Sequence, residues 1–207
     1  MQFQFRIDKP VFQFTMKTIC VYCASSTQVK PSYFDATARL SKIIAGANLS
    51  VVYGGGSMGL MGQLADSTLE AGGRITGVIP RFMCEVEWNH TNLTELILVD
   101  TMHERKEKMA MMADAVVALP GGCGTLEELL EVITWKRLGI FTKPIVIVNL
   151  EGYFDALVTM LDRAVDEHFM RAEHRRMWEI VETPEEVLAA IQRSEIWDTN
   201  ARSFAAL

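Results

Sequence analysis

Short apolar runs rich in β-branched residues alternate with helical stretches from Thr18 onward, and this alternation constrains the fold more than any other feature. Glycine, proline or asparagine marks each change. Most of the runs are continuously apolar, which is typical of strands covered on both faces of a sheet. The predicted strands are residues 18–23, 49–53, 74–79, 95–100, 115–119, 144–149 and 178–181.

The stretches between the strands have helical periodicity, and they predict helices at residues 32–47, 58–71, 102–113, 126–138, 153–169 and 184–192. A β-α-β-α order predicts an α/β fold with a doubly wound, mostly parallel sheet and helices on both faces. In such a sheet the ligand crevice lies at the carboxyl ends of the strands. We expect one domain over residues 16–194, an extension of uncertain role at 1–15 and a C-terminal tail at 195–207.

The composition limits the kinds of partner that we expect the protein to bind. With 49% hydrophobic and 22% charged residues, the chain is typical of a globular domain that buries its own core. The net charge of -6 argues against binding to nucleic acid or to an anionic membrane surface. The longest apolar run, PIVIV at residues 144–148, is far shorter than the roughly 20 residues of a membrane-spanning helix. We therefore expect a cytoplasmic protein without nucleic-acid or membrane partners.

The four cysteines do not predict a metal site. Cys20 and Cys23 form a C-x-x-C, but they lie inside the apolar run ICVYC, which indicates a buried strand and not a redox loop. A zinc site needs a second close pair of ligands, whereas Cys84 and Cys123 stand alone. We interpret all four as reduced thiols and expect no bound metal.

The second predicted strand leads directly into the glycine-rich sequence GGGSMGLMG, followed by a helix. Glycines in that position let backbone N–H groups approach a phosphate at the helix N-terminus. Leu60 stands where a Walker loop has lysine, and no acidic residue follows the next strand to bind a ribose, so a mononucleotide phosphate fits best. Close packing of strand, turn and helix is the alternative. The candidate ligand-binding glycines are Gly54, Gly55, Gly56 and Gly59.

A second glycine-rich sequence, PGGCGT at residues 120–125, leaves the fifth strand and opens another helix with LEE. Helical spacing predicts a core face formed by Leu126, Leu129, Leu130 and Ile133, with Glu127, Glu131 and Thr134 on a polar side. Glu128 shares its stripe with Val132 and Trp135. A carboxyl group among apolar neighbours is desolvated, which raises its pKa and suits it to proton transfer near neutral pH.

Arg105 interrupts an apolar stripe on the helix MHERKEKM, because it lies at helical spacing from Met102, Met109 and Met112. Its stem could simply cover hydrophobic neighbours while the charge reaches water. A buried guanidinium, however, requires an anionic partner, and two phosphate loops and a glutamate supply one. Lys106, about 100° around the helix, is the weaker candidate.

The motifs GGGSMGLMG, MHERK and PGGCGTLEE, in this order and spacing, resemble those of the LOG (Lonely Guy) family of cytokinin riboside 5'-monophosphate phosphoribohydrolases, formerly described as lysine decarboxylase-like. The resemblance covers about residues 16–192. It implies a Rossmann-like fold and hydrolysis of the N-glycosidic bond of a nucleoside 5'-monophosphate, which yields free base and ribose 5-phosphate. It further implies a homodimer whose active sites are completed across the interface, and no cofactor.

The resemblance also implies roles for individual residues. Arg105 and Glu128 match the catalytic pair. The residues that match the substrate pocket are Glu87, Lys106, Gly121, Gly122, Cys123, Gly124, Thr125, Leu126, Glu127 and Thr134. Glu87 lies in a variable segment, and Cys123 stands where the family more often has an aromatic or aliphatic residue.

Two other classes of function stay open from the residues alone. A non-catalytic nucleotide-binding module would keep both glycine loops but would not need Arg105 and Glu128 together. An NADP-dependent oxidoreductase could use Arg74 or Arg81 for the extra phosphate, although the chain shows no second substrate domain. A lysine decarboxylase would need pyridoxal phosphate on a lysine with an acidic partner, and no lysine has that setting.

Overall fold

The computed structural model describes residues 16–85, 88–195 and 197. Seven strands occur in these residues: β1 (Thr18–Tyr22), β2 (Ser50–Tyr53), β3 (Arg74–Pro80), β4 (Glu95–Val99), β5 (Ala115–Ala118), β6 (Ile145–Val148) and β7 (Glu179–Val181). The predicted extension at 1–15, Glu87 and most of the predicted tail lie outside the described residues.

The helices of the described residues are α1 (Pro31–Gly46), α2 (Gly59–Glu70), α3 (Arg81–Cys84), α4 (Met102–Met112), α5 (Cys123–Arg137), α6 (Asp155–Asp166) and α7 (Val187–Arg193). Short 3-10 helices cover Leu150–Gly152, Ala172–Met177 and Pro184–Glu186. The predicted doubly wound architecture is confirmed. None of the helices between residues 16 and 85 or 88 and 195 combines the length and apolar character that a bilayer crossing requires.

All strand pairs are parallel, and the strands lie in the order β4-β3-β2-β1-β5-β6-β7. The chain builds outward from β1 to the β4 edge, then returns to place β5 on the other side of β1. The loops that follow β1 and β5 therefore separate to opposite faces. This switch in strand order is where a doubly wound sheet has its ligand crevice.

Each face of the sheet carries its own hydrophobic core. Ile19 and Val21 of β1 pack on one side with α1, α2 and α7, whereas Cys20 and Tyr22 pack on the other with α4, α5 and α6. The central strands β5 and β6 are buried along their whole length. Continuous apolar sequence thus marks strands covered on both faces, as predicted.

The interpretation of the C-x-x-C sequence as part of a buried strand region is confirmed. Cys20 lies on β1 and Cys23 directly after it, and both side chains are buried. Burial is the largest cause that raises the pKa of both thiols, so they remain protonated. Neither cysteine is disulfide-bonded.

Candidate functional site

A cavity of about 660 Å³ opens at the carboxyl ends of the central strands. Residues 23–27 after β1, residues 54 and 56–58 after β2, and residues 122–125 after β5 line it. Arg105 of α4 and Glu128 of α5 supply its charged side chains. The crevice predicted from the β-α order therefore contains both residues of the predicted catalytic pair.

The cap of α4 fixes the direction in which Arg105 points. The Thr101 hydroxyl accepts the N–H of Glu104 at 3.1 Å, and the Glu104 carboxylate accepts the N–H of Asp100 at 2.8 Å. This reciprocal arrangement satisfies backbone donors at the start of the helix. Arg105 then lies in the first turn on the buried side, together with Met109. Met102, predicted on the same face, is exposed because it is the first residue of the helix.

The Arg105 guanidinium is anchored to the ends of two strands. Its Nε donates to the carbonyl oxygen of Val78 at 3.1 Å, and its Nη2 donates to that of Gly54 at 3.2 Å. A methyl group on Gly54 would lie 1.8 Å from Nη2, so only glycine leaves room for the guanidinium. Gly54 thus makes room for Arg105. The two interpretations of this glycine from the sequence, phosphate binding and close packing of strand, turn and helix, did not predict this role.

Glu128 faces Arg105 from the neighbouring helix. The distance from its Oε1 to Nη1 of Arg105 is 3.4 Å, and both side chains are 6% exposed. Burial raises the pKa of the Glu128 carboxyl to about 7, although the nearby guanidinium acts in the opposite direction. The desolvation predicted from the apolar stripe is confirmed, since Leu129 and Val132 beside it are buried. Leu130, predicted on the core face, is exposed.

Lys106, the residue after Arg105, points to a different set of partners. Its ammonium group forms an ion pair with Glu127 and a second one with Glu131 at 3.2 Å. Lys106 is buried between α4 and α5, and neither it nor Glu127 lines the cavity. These three residues connect the two helices beside the contact between Arg105 and Glu128. Glu127 and Glu128 therefore occupy distinct environments, as the helical spacing predicted.

The N-terminus of α5 is open toward the cavity. Gly122 is its N-cap and offers no side chain to satisfy the first N–H groups, which belong to Cys123, Gly124 and Thr125. The first intrahelical bond is donated by Leu126 to the Gly122 carbonyl. Unpaired N–H groups and the helix dipole make this end suitable for an anion.

The N-terminus of α2 is covered instead. The N–H of Met61 donates to the carbonyl oxygen of Ala24 at 3.2 Å. The carbonyl groups of Ser25 and Ser26 lie directly against Gly59. The loop after β1 therefore occupies the helix end for which the first glycine-rich sequence had predicted a phosphate.

The wall of the cavity on the β2 and β3 side is apolar. Met58, Met61, Met83 and Trp88 line it. The backbone around Trp88 is fastened to the first glycine loop, because its carbonyl accepts the N–H of Ser57 at 3.0 Å. A flat aromatic ring and flexible thioethers suit an apolar, planar group.

The predicted site residues divide into those that line the cavity and those that do not. The cavity is lined by Arg105, Glu128, Gly54, Gly56, Gly122, Cys123, Gly124 and Thr125. The residues that do not line it are Lys106, Glu127, Gly55, Gly59, Gly121, Leu126 and Thr134, and Glu87 is outside the described residues. Leu126 packs against the core, and Thr134 donates to the Leu130 carbonyl at 2.8 Å.

No sequence motif identified the hydroxyl-bearing loop after β1, whose Ser25, Ser26 and Thr27 line the cavity. The sequence ASST carries no recognisable motif. Its position after the strand next to the switch point was the signal that could have identified it. Trp88 and Met83 were also missed, because they belong to a connection without periodicity.

Sequence comparisons agree with this geometry. The family described as "possible lysine decarboxylase" matches residues 61–191. The chain is 46% identical over 168 residues to cytokinin riboside 5'-monophosphate phosphoribohydrolase LOG2 of Arabidopsis thaliana, which covers 81% of this chain and 78% of that protein. The probable cytokinin riboside 5'-monophosphate phosphoribohydrolase LOGL6 of Oryza sativa subsp. japonica is 42% identical, and the match covers 88% of this chain and 73% of that protein.

Among solved structures, the molybdenum cofactor carrier protein of Chlamydomonas reinhardtii has a TM-score of 0.66 and 20% sequence identity, and the match covers 86% of this chain and 97% of that one. The corresponding binding protein of Rippkaea orientalis has the same TM-score at 19% identity, with the same coverage. At this level of identity the likeness shows a shared fold. The sequence matches are much closer and show more than the fold. The chain belongs to the LOG family of cytokinin riboside 5'-monophosphate phosphoribohydrolases.

Proposed function

We propose that this protein hydrolyses the N-glycosidic bond of purine and cytokinin riboside 5'-monophosphates, AMP included, to free base and ribose 5-phosphate. The observation that carries the proposal is the buried contact between Arg105 and Glu128 inside the cavity. A buried acid with a pKa near 7 beside a fixed cation is an arrangement suited to proton transfer at a charged transition state. The names of the relatives support the same class of substrate.

The order of the strands indicates how the nucleotide is oriented in the cavity. The open N-terminus of α5 follows β5, so the 5'-phosphate binds on that side to the N–H groups of residues 122–125. The apolar wall with Trp88 and Met83 lies on the β2 and β3 side and receives the base. The ribose then lies between them, next to Arg105 and Glu128. The same wall favours an apolar substituent on the base.

Hydrolysis requires a water molecule to add to the anomeric carbon while the bond to the base nitrogen breaks. The transition state resembles an oxocarbenium ion, which a nearby carboxylate stabilises. The Glu128 carboxylate takes a proton from the attacking water, and the oxygen of that water becomes the anomeric hydroxyl. The electron pair of the broken bond leaves with the base, and the proton that Glu128 took from the water passes to the base, which regenerates the carboxylate. Arg105 orients the nucleotide and assists departure of the base. No step of this chemistry requires a metal or an organic cofactor.

The alternative functions find less support in the site. Arg74, suggested for an NADP phosphate, lies at the amino end of β3, opposite the cavity, and Arg81 is paired with Asp100 at 3.2 Å. Among the described residues no lysine lines the cavity, so a Schiff base for a decarboxylase has no evident carrier. A module that only binds nucleotides would not need a buried carboxyl group near the sugar.

The proposed active unit is a homodimer. Exposed apolar side chains on the two helices of the catalytic pair support it, namely Met102 and Met111 of α4 and Leu130 of α5. Ile140, just after α5, is also exposed. Apolar groups on neighbouring helices suit a self-complementary two-fold interface.

The test is incubation with AMP, an N6-substituted AMP, the corresponding nucleosides and lysine, followed by chromatography for free base and ribose 5-phosphate. We expect base from the monophosphates without added divalent cation, and little from the nucleosides, because phosphate binding positions the scissile bond. Equal rates on adenosine and AMP, or carbon dioxide released from lysine, would contradict the proposal.

A further inference from the structure

The hydroxyl group of Tyr153 donates a hydrogen bond to the carbonyl oxygen of Gly121 at 2.7 Å. Tyr153 follows β6 and the 3-10 helix Leu150–Gly152, and it does not line the cavity. Gly121 immediately precedes Gly122, the N-cap of α5, which does line the cavity. The bond therefore connects a residue outside the cavity with the loop that opens α5.

The carbonyl of Gly121 and the N–H of Gly122 belong to the same peptide unit. In a planar trans peptide these two groups point in opposite directions, so fixing one fixes the other. The hydrogen bond holds the carbonyl oxygen on the side of Tyr153, and neither Tyr153 nor Gly121 lines the cavity. The N–H of Gly122 then points to the opposite side. The N–H groups of the next three residues belong to the first turn of the same helix.

The peptide unit between Gly121 and Gly122 can rotate unless a contact fixes its orientation. It is flanked by two glycines, which have the widest range of backbone conformations, so rotation of the whole peptide plane meets little steric resistance. Rotation by half a turn would turn a carbonyl oxygen toward the cavity in place of an N–H group, and a phosphate would be repelled. The Thr125 side chain packs directly against Gly121, so the loop is already closed on its other side.

The position of the Tyr153 ring does not depend on its hydroxyl group. The ring packs edge-on against Phe154, with centroids 5.0 Å apart, and against Tyr33, with centroids 6.0 Å apart. The backbone N–H of Tyr153 donates to the Leu150 carbonyl at 3.0 Å. Removal of the hydroxyl oxygen alone should leave the ring in place.

We propose that Tyr153 is a positioning residue of the phosphate site, whose hydroxyl orients the peptide between Gly121 and Gly122 so that its N–H faces the 5'-phosphate of the substrate. The inference rests on the proposed function in placing a phosphate at α5. It goes beyond that function in assigning phosphate affinity to a residue outside the cavity.

The test compares Tyr153→Phe with the unchanged protein and with Tyr33→Phe, which alters the neighbouring ring of the same aromatic cluster. Calorimetry with ribose 5-phosphate and with free adenine measures binding of the phosphate and base ends separately. We expect Tyr153→Phe to weaken ribose 5-phosphate binding about 10- to 100-fold, as for a lost hydrogen bond to a charged group. Adenine binding should stay unchanged, and Tyr33→Phe should alter neither. In the AMP assay, KM should rise by the same factor and kcat should change less than about twofold.

Other results would overturn the inference. An unchanged Kd for ribose 5-phosphate in Tyr153→Phe would show that the hydroxyl does not orient the peptide. Equal weakening of ribose 5-phosphate and adenine binding would indicate general disruption of the fold. Failure of the wild-type protein to bind ribose 5-phosphate would contradict the phosphate site at α5 itself. The binding experiment is independent of turnover, so failure to hydrolyse AMP would contradict the proposed function alone.

Discussion

Nη1 of Arg105 and Oε1 of Glu128 lie 3.4 Å apart, and the two residues belong to different helices of the same chain. The guanidinium is held by carbonyl groups at the ends of β2 and β3, so the position of the pair depends on the sheet as well as on α4 and α5. One chain thus supplies both members of the pair. In the proposed dimer, this contact therefore does not depend on the partner subunit.

The two adjacent glutamates should differ in their effect on turnover. Glu128→Gln should lower kcat at least about 100-fold, because it removes the positioned acid or base while keeping the shape of the side chain. Glu127→Gln should retain most of kcat, since Glu127 does not line the cavity. It should weaken substrate binding, because its ion pair with Lys106 holds α5 against α4. Steady-state release of base from AMP measures both. An inactive Glu127→Gln with an active Glu128→Gln would reverse the assignment.

A methyl group at Gly54 should disable the site without removing a catalytic side chain. In Gly54→Ala the new Cβ would lie 1.8 Å from Nη2 of Arg105, so the guanidinium must shift from its position at the Gly54 carbonyl, and kcat/KM should fall at least about 100-fold. Gly46→Ala is the matched control, because a Cβ there meets nothing within 4 Å. Activity and circular dichroism should be recorded for both. Normal activity of Gly54→Ala would show that the anchoring of Arg105 is dispensable.

The pH dependence of kcat/KM should follow the ionisation of Glu128. The carboxyl has a pKa of about 7 and must be ionised to act as a base, so kcat/KM should fall below pH 7. Glu127 raises this pKa and Lys106 lowers it, so Glu127→Gln should shift the acidic limb to lower pH and Lys106→Met to higher pH.

The second ionisation of the substrate phosphate, near pH 6, is the same for every variant and so provides the control for that experiment. Opposite shifts of the limb in the two variants would identify Glu128 as the titrating group. Shifts in the same direction, or none, would contradict this assignment.

The same carboxyl group should make stability depend on pH. Its pKa is about 7 in the folded protein and 4.5 in the ordinary reference state, so the folded state binds more protons between these values and stability falls as pH rises through them. Glu128→Gln is neutral at every pH. Its free energy of unfolding at pH 8 should exceed that of the wild type by up to about 3 kcal/mol, and the advantage should vanish near pH 4.5. Urea denaturation at both pH values measures the difference. A variant less stable at pH 8 would refute the prediction.

An acidic residue in the proposed subunit interface should dissociate the dimer. Met111 of α4 is 65% exposed and Met160 of α6 is 63% exposed, so the two methionines form a matched pair on different helices. We expect Met111→Asp to yield a monomer in sedimentation velocity, because a buried charge opposes apolar association. Met160→Asp should remain a dimer. A dimeric Met111→Asp with a monomeric Met160→Asp would move the interface to α6, and a fully active wild-type monomer would contradict the dimer itself.

The sequence predicted the strands within about one residue, since most of them are continuous apolar runs between clear breakers. The start of α5 was predicted three residues late, at residue 126, because Gly122, Cys123 and Gly124 suggested a loop while the chain already turns as a helix at Cys123. Tertiary packing overrides propensity here. The short helix α3 gave no periodic signal at all.

Within the site, helical spacing correctly predicted that Arg105 faces inward and that Glu128 is desolvated. It could not predict that Lys106 binds Glu127 and Glu131, because such contacts depend on how two helices pack. Both glycine-rich sequences were interpreted as phosphate loops. Which of them is open to a ligand depends on the loop after β1, which is far from both in the sequence.

The covering of the α2 N-terminus by the loop after β1 has a consequence for the size of ligand that the crevice can hold. A doubly wound sheet that binds a dinucleotide lays the pyrophosphate across a helix end and extends the second nucleoside beyond it. With that helix end covered by the chain's own carbonyl oxygens, we expect a ligand bound at α5 to carry one anionic group and not a pyrophosphate bridge to a second nucleoside. The crevice then suits a mononucleotide better than a dinucleotide, although the sheet has the doubly wound topology.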